Sequence, residues 1–149
     1  MQAYIDMEFP AALIHKMVFF YEIATYICEN DQGYFVKQQL HIGDVVTIQE
    51  EVYNESYAIV EAIFSHRGNN EKLYAFMIVN WFEETSQTKF DCPIYRLGWK
   101  RWRHVFPISV IDLVNKVHFV HDCIGDMCKD SHDTKNTNYI KNKFHFTDV

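Results

Sequence analysis

Two long apolar segments separated by a short polar loop constrain the fold of this chain most strongly. Residues 57–64 (YAIVEAIF) and 73–82 (LYAFMIVNWF) are rich in β-branched and aromatic residues, which favour strands. Residues 67–72 (RGNNEK) lie between them and supply the Gly and Asn that hairpin turns require. We therefore predict an antiparallel hairpin. Because both strands are apolar on both faces, we expect the pair to lie centrally in a sheet.

A second hairpin is predicted nearer the N-terminus. Residues 17–28 are aromatic and β-branched, residues 30–33 (NDQG) have turn chemistry, and residues 34–40 form the return strand. A helix over residues 11–26 is the competing prediction, since periodicity does not separate the two structures in so apolar a run.

The remaining segments predict shorter strands joined by polar loops. Residues 44–49 read as a strand entered through a tight turn at Gly43, whereas residues 50–56 and 83–89 read as polar loops. Pro107 limits its segment to an edge strand or a turn. Many short strands with polar turns are typical of a small barrel or sandwich. We predict a mainly β fold.

Length and charge restrict the organisation and the partners. A chain of 149 residues suits a single domain, with a core over about residues 17–121 and a polar extension over 122–149. The net charge of −6 makes nucleic acid an unfavourable primary partner and favours a basic protein segment.

The sequence lacks a secretory signal, a membrane span and known catalytic motifs. Four cysteines occur without a secretory signal, so we expect an intracellular protein with reduced thiols. No segment is a convincing membrane span. No motif of a nucleophilic, phosphate-binding or metalloprotease site is found, so we expect a non-enzymatic protein.

Four segments together resemble a BAH (bromo-adjacent homology) domain over about residues 40–121. They are residues 42–46 (IGDVV), 57–64, 79–85 (VNWFEET) and 105–111 (VFPISVI). The resemblance implies a small β-barrel with additional strands and short helical or irregular extensions. It also implies a nuclear, chromatin-associated module.

A second resemblance extends over more of the chain. Residues 91–95 (DCPIY), 107–109 (PIS), 118–123 (HFVHDC) and 138–144 (NYIKNKF) are similar to BAH-like C-terminal regions of fungal transposon-derived proteins. It suggests a BAH-like module that acts without a catalytic partner in the same chain.

The BAH resemblance implies an aromatic cage for the methylated lysine of a histone tail, because ring faces attract a cation. The matching positions are Tyr57 and Trp81, with Glu83 or Glu84 as an acidic wall that favours a lysine with a remaining N–H. The alternative is that both rings are half-buried barrel residues. In that case the domain is a scaffold for protein interactions without a methyl-lysine ligand.

A zinc site is the second candidate. Cys123, Cys128 and His132, with His121 or His118, supply the nitrogen and sulfur ligands that Zn²⁺ binds in a tetrahedron. The alternative is a pair of ordinary thiols and solvated histidines. No other cofactor is expected.

A nucleic-acid contact is the third candidate. Lys100, Arg101 and Arg103 alternate with Trp99 and Trp102, and such interleaving allows stacking on bases and contact with phosphates. The alternative, which the net charge favours, is a loop with packed Trp rings and solvated basic groups.

Overall fold

The computed structural model describes residues 18–30, 32–50, 53–68, 70–98, 103–112, 117–122 and 138–144, with the backbone alone at 50, 53 and 54. These residues form eleven β-strands and one short 3₁₀ turn, and no α-helix occurs among them. The predicted mainly β fold is confirmed.

The longest element is the predicted central hairpin. Its strands are β5 (Tyr53–Arg67) and β6 (Leu73–Lys89), which pair antiparallel from Arg67 and Leu73 onward. A β-bulge interrupts the register, because Val60 is opposite Val79 whereas Ala62 is opposite Ile78. Glu61 is therefore the extra residue on β5.

The two ends of this hairpin carry different neighbours. At the turn end, β1 (Val18–Tyr21) pairs with β5 and β8 (His104–Pro107) pairs with β6. The other strands of this sheet are β4 (Val45–Glu50), β7 (Cys92–Leu97), β9 (Ile111–Asp112), β10 (Phe119–His121) and β11 (Asn138–Lys141). At the open end of the hairpin the strand order is β10-β11-β7-β6-β5-β4-β9. This sheet curls into a half-barrel.

The N-terminal hairpin forms a small separate sheet. Strands β2 (Ile23–Glu29) and β3 (Phe35–His41) pair with each other, with side chains that alternate between exposed and less exposed positions. The predicted hairpin is confirmed for residues 23–29 and 35–41. The predicted first strand over 17–28 is not continuous, because residues 18–21 form β1 and pair with β5 in the larger sheet. The competing helix over 11–26 is wrong for the described residues 18–26, because residues 18–21 and 23–26 lie in β1 and β2. In β2 the exposure alternates with the two-residue period of a sheet.

Apolar side chains pack on both faces of the half-barrel sheet. The larger cluster is centred on β5 and β6, and its most buried members include Ala58, Met77 and Val79, each 0% exposed. The second cluster contains Tyr57, Phe82 and Tyr95 on the opposite face. The central position of the hairpin follows from its strands being apolar on both sides.

Two predicted loops are strands. Residues 53–56 of the predicted loop 50–56 belong to β5, and residues 83–89 belong to β6. The polar side chains misled the prediction, since a strand with one solvent-facing side needs no apolar residue there. Thr85 is fixed by its hydroxyl, which donates to the carbonyl of Ile94 on β7 at 2.7 Å.

The turns are placed largely as the sequence predicts. Gly43 adopts a φ of 92° in the β3–β4 turn, and its N–H donates to the carbonyl of Val60. The Asp44 carboxylate accepts the N–H of His41 at 2.7 Å and closes the same turn. β8 ends at Pro107 and is followed by the 3₁₀ turn Ile108–Val110, as expected for a strand limited by proline.

Candidate functional site: a lysine on an aromatic cluster

The two rings of the expected cage lie on opposite faces of the sheet. Trp81 is directly opposite Ala58, so its side chain shares a face with that of Ala58. Tyr57 precedes Ala58 and points to the other face. The cage of Tyr57 and Trp81 is therefore wrong as a single site. Its cause is the bulge at Glu61: with unbroken register Ile59 would oppose Trp81, and Tyr57 would share that face.

Trp81 packs as a barrel residue. Its ring lies 5.6 Å from Phe106 and 5.8 Å from His104, measured between ring centroids, and it contacts the larger apolar cluster. Its indole N–H donates to Nδ1 of His104. Trp81 is therefore a half-buried ring whose polar atom already has a partner, which fits the alternative that it is a packing residue of the barrel rather than part of a cage.

Tyr57 belongs to a three-ring group on the opposite face. Tyr57 is 6% exposed, and its ring centroid lies 5.6 Å from that of Tyr95 and 5.5 Å from that of Phe119. Tyr95 and Phe119 are 5.2 Å apart at an interplanar angle of 73°. The rings come from β5, β7 and the start of β10, so the curl of the sheet brings them together.

A lysine ammonium lies against this group. Nζ of Lys141 is 4.2 Å from the centroid of the Tyr57 ring and donates to the Tyr57 hydroxyl, which donates in turn to Glu55 at 3.1 Å. A cation within about 6 Å of a ring face is attracted by its quadrupole. We call Tyr57, Tyr95, Phe119 and Lys141 the Tyr57 cluster.

The electrostatics around Tyr57 are acidic. Burial, the hydrogen bond to Glu55 and the charges of Glu55 and Glu84 raise the pKa of Tyr57 to about 12. Burial and the charge of Glu84 also raise the pKa of Tyr95. The charge of Lys141 acts in the opposite direction but does not reverse the shift. The phenols therefore stay protonated at neutral pH and remain hydrogen-bond donors.

Glu83 and Glu84, the acidic residues of the expected cage, lie on opposite faces of the sheet, as Tyr57 and Trp81 do. Glu83 and Glu84 are consecutive and exposed on β6, so their side chains point to opposite faces. Glu84 is opposite Tyr95 and lies on the side of the Tyr57 cluster. Glu83 lies on the side of Trp81.

The zinc prediction falls mostly outside the described residues, because Cys123, Cys128 and His132 lie there. His121 is described, and its ring lies 5.1 Å from that of Tyr139. Within the described ranges, no three His, Cys, Asp or Glu side chains gather as metal ligands.

Of the three basic residues of the predicted nucleic-acid contact, the structure describes Arg103. Lys100 and Arg101 lie outside the described residues, whereas Arg103 forms an ion pair through Nε with Glu61. Glu61 also accepts from the side-chain amide of Asn80 at 3.3 Å. Arg103 thus contacts the bulge residue of β5.

Sequence reasoning missed three of the four members of the Tyr57 cluster. Tyr95, Phe119 and Lys141 are separated from Tyr57 by 38 or more residues and meet it only through the pairing of β7, β11 and β10. Each of the segments 91–95 and 117–120 contains a single aromatic residue. One aromatic residue in a short apolar segment favours a strand but identifies neither the face on which the ring lies nor its neighbours.

Comparison with known proteins adds no assignment: no family model, curated protein or solved structure matches this chain. In the part of the chain that the structure describes, no helix has the length and apolar character to cross a membrane.

Proposed function

We propose that this domain is a chromatin-associated interaction module that binds a basic protein segment, such as a histone tail, at the Tyr57 cluster. The observation that carries the proposal is the ammonium of Lys141 over the Tyr57 ring, beside Glu55. Aromatic faces and carboxylates together are the groups that attract a lysine. The net charge of −6 supports a basic partner. The resemblance to BAH domains supports a chromatin-associated role and a location in the nucleus.

The hydrogen bonding of Tyr57 indicates which lysine is preferred. Its hydroxyl accepts a hydrogen bond from an ammonium N–H, and a trimethylated lysine has no N–H to donate. We therefore expect the cluster to favour unmethylated, monomethylated or dimethylated lysine over the trimethylated form.

Lys141 itself is the competitor of any ligand at this site. It is the last residue of β11 and is half-buried, so its side chain has to leave the Tyr57 ring before an incoming lysine takes that place. The Lys141→Ala variant is expected to bind a basic segment more tightly than the wild type, because that displacement is no longer needed.

The test is an array of histone-tail peptides, with and without lysine methylation, probed with the whole chain. Lys141→Ala should strengthen binding, Tyr57→Phe should retain the ring and most binding, and Tyr57→Leu should lose it. Trp81→Leu, on the opposite face, is the matched control and should bind as the wild type does. Thermal denaturation of each variant verifies folding. Absence of binding by the wild type and by Lys141→Ala would refute the proposal.

A scaffolding domain without a lysine ligand is the second candidate. It is favoured by the low exposure of Tyr57, which leaves little ring surface for an outside partner. In that case Lys141 only fastens β11 to β5. Lys141→Ala would then lower the melting temperature and create no peptide binding.

A further inference from the structure

A cavity of about 400 Å³ lies where the half-barrel remains open. Strands β4 and β9 form one end of the sheet order and β10 the other, and residues of both ends line the cavity together with the β2–β3 hairpin. Cavities of this size fall within the range of small-molecule sites, and barrel mouths are one of their usual places.

The cavity is lined by both acidic and aromatic residues. Asp44 and Asp112 both line it, as do Tyr26, Phe119 and His118. The described lining contains no lysine or arginine. An organic cation with a hydrocarbon stem is complementary to such walls, because carboxylates attract the charge while the rings cover the stem.

The two carboxylates are held at separate points along the cavity. Asp112 is opposite Thr47 of β4, and Asp44 precedes this strand, three residues before Thr47. Three residues of extended chain correspond to about 10 Å. Each is positioned by a hydrogen bond, Asp44 by the N–H of His41 and Asp112 by the amide of Gln49. A ligand with two positive charges at a similar separation is complementary to both carboxylates.

We propose that this cavity binds an organic cation whose ammonium or guanidinium groups face Asp44 and Asp112 and whose hydrocarbon stem lies against Tyr26 and Phe119. Two sources supply that chemistry: a free polyamine, or basic side chains of a bound protein segment. The site does not require a ligand at the Tyr57 cluster, although Phe119 contributes to both places.

The test is calorimetric titration of the whole chain with spermidine and, separately, with a capped Lys-Ala-Ala-Lys peptide. Asp44→Asn and Asp112→Asn keep shape and a hydrogen-bond acceptor, and each should weaken binding about tenfold or more. Asp91→Asn is the matched control, since Asp91 is exposed in the β6–β7 turn and its φ of 59° suits Asn. It should leave binding unchanged.

A second variant keeps the test decisive if an aspartate variant fails to fold. Gln39 lines the cavity from an exposed position on β3, so Gln39→Lys places a competing ammonium there and should abolish binding. Binding of spermidine alone identifies a free polyamine as the ligand, and binding of the peptide alone identifies a protein segment.

Failure of both probes at millimolar concentration overturns the proposal, as does an equal loss of binding in Asp91→Asn. Lys141→Ala separates the two sites, because it alters peptide binding at the Tyr57 cluster and removes no residue that lines the cavity, so the spermidine titration persists.

Discussion

The turn between β6 and β7 places a phenylalanine in a backbone conformation that suits asparagine. Lys89 and Cys92 pair across it, and Phe90 and Asp91 between them have φ of 53° and 59°. Two central residues with positive φ define a type I′ hairpin turn, whose first position strongly favours Asn or Gly. We predict that Phe90→Asn stabilises the domain.

The size of the gain follows from three contributions. The left-handed region costs an ordinary L-residue about 1–2 kcal/mol, a cost that Asn largely avoids. Phe90 is 77% exposed, so removal of its ring forfeits little buried surface. Its contact with Nζ of Lys89, 5.9 Å from the ring centroid, contributes about 0.5 kcal/mol at such an exposed site. The net gain expected is about 0.5–1 kcal/mol.

Urea unfolding and thermal denaturation measure this gain. For a domain of this length, it corresponds to a rise in melting temperature of about 1–4 °C. Phe90→Ala is the control, because alanine removes the ring but keeps the unfavourable Cβ at positive φ. An equal rise in Phe90→Ala would refute the reasoning, since the gain would then come from loss of the ring rather than from relief of the backbone.

Three further perturbations test the packing, a turn and the electrostatics. Met77→Ala should lower the free energy of unfolding in urea by about 2–5 kcal/mol, because Met77 is 0% exposed. Leu73→Ala should lower it far less, because Leu73 is 63% exposed. Gly43→Ala should cost about 1 kcal/mol, because φ is 92° although the space around a new Cβ is open; an unchanged melting temperature would contradict this. The pKa of Tyr57 is raised from 10.0 to about 12 in the folded protein, so the protonated phenol contributes fully to stability below pH 10, and this contribution is lost as pH rises toward 12. Between pH 10 and 12 the free energy of unfolding should therefore fall less steeply in Tyr57→Phe than in the wild type.

Local pattern was sufficient for the hairpins but not for the site. The central hairpin was predictable because apolar strands and an Asn-Gly-rich loop are adjacent in sequence. The strand at residues 83–89 was not, because its partner β7 contributes the backbone hydrogen bonds and the exposed side chains carry no apolar signal. Pairing supplied by another segment overrides local propensity.

The cage prediction failed for a more specific reason. One extra residue, Glu61, reverses the face of every β5 side chain before it relative to β6. Nothing in the string AIVEAIF marks Glu61 as the bulge. Its contacts with Asn80 and Arg103 become visible only in three dimensions.

The sharing of β5 and β6 between both ends of the sheet has a consequence for hydrogen exchange. Opening this hairpin would release β1 and β8 at one end and β4 and β7 at the other. Amide protons of Ile63 and Met77 should therefore exchange only through global unfolding, and their rates should report its full free energy. The β2–β3 sheet is hydrogen-bonded within itself, so its amides should take up deuterium through a smaller, local opening while the long hairpin is still protected.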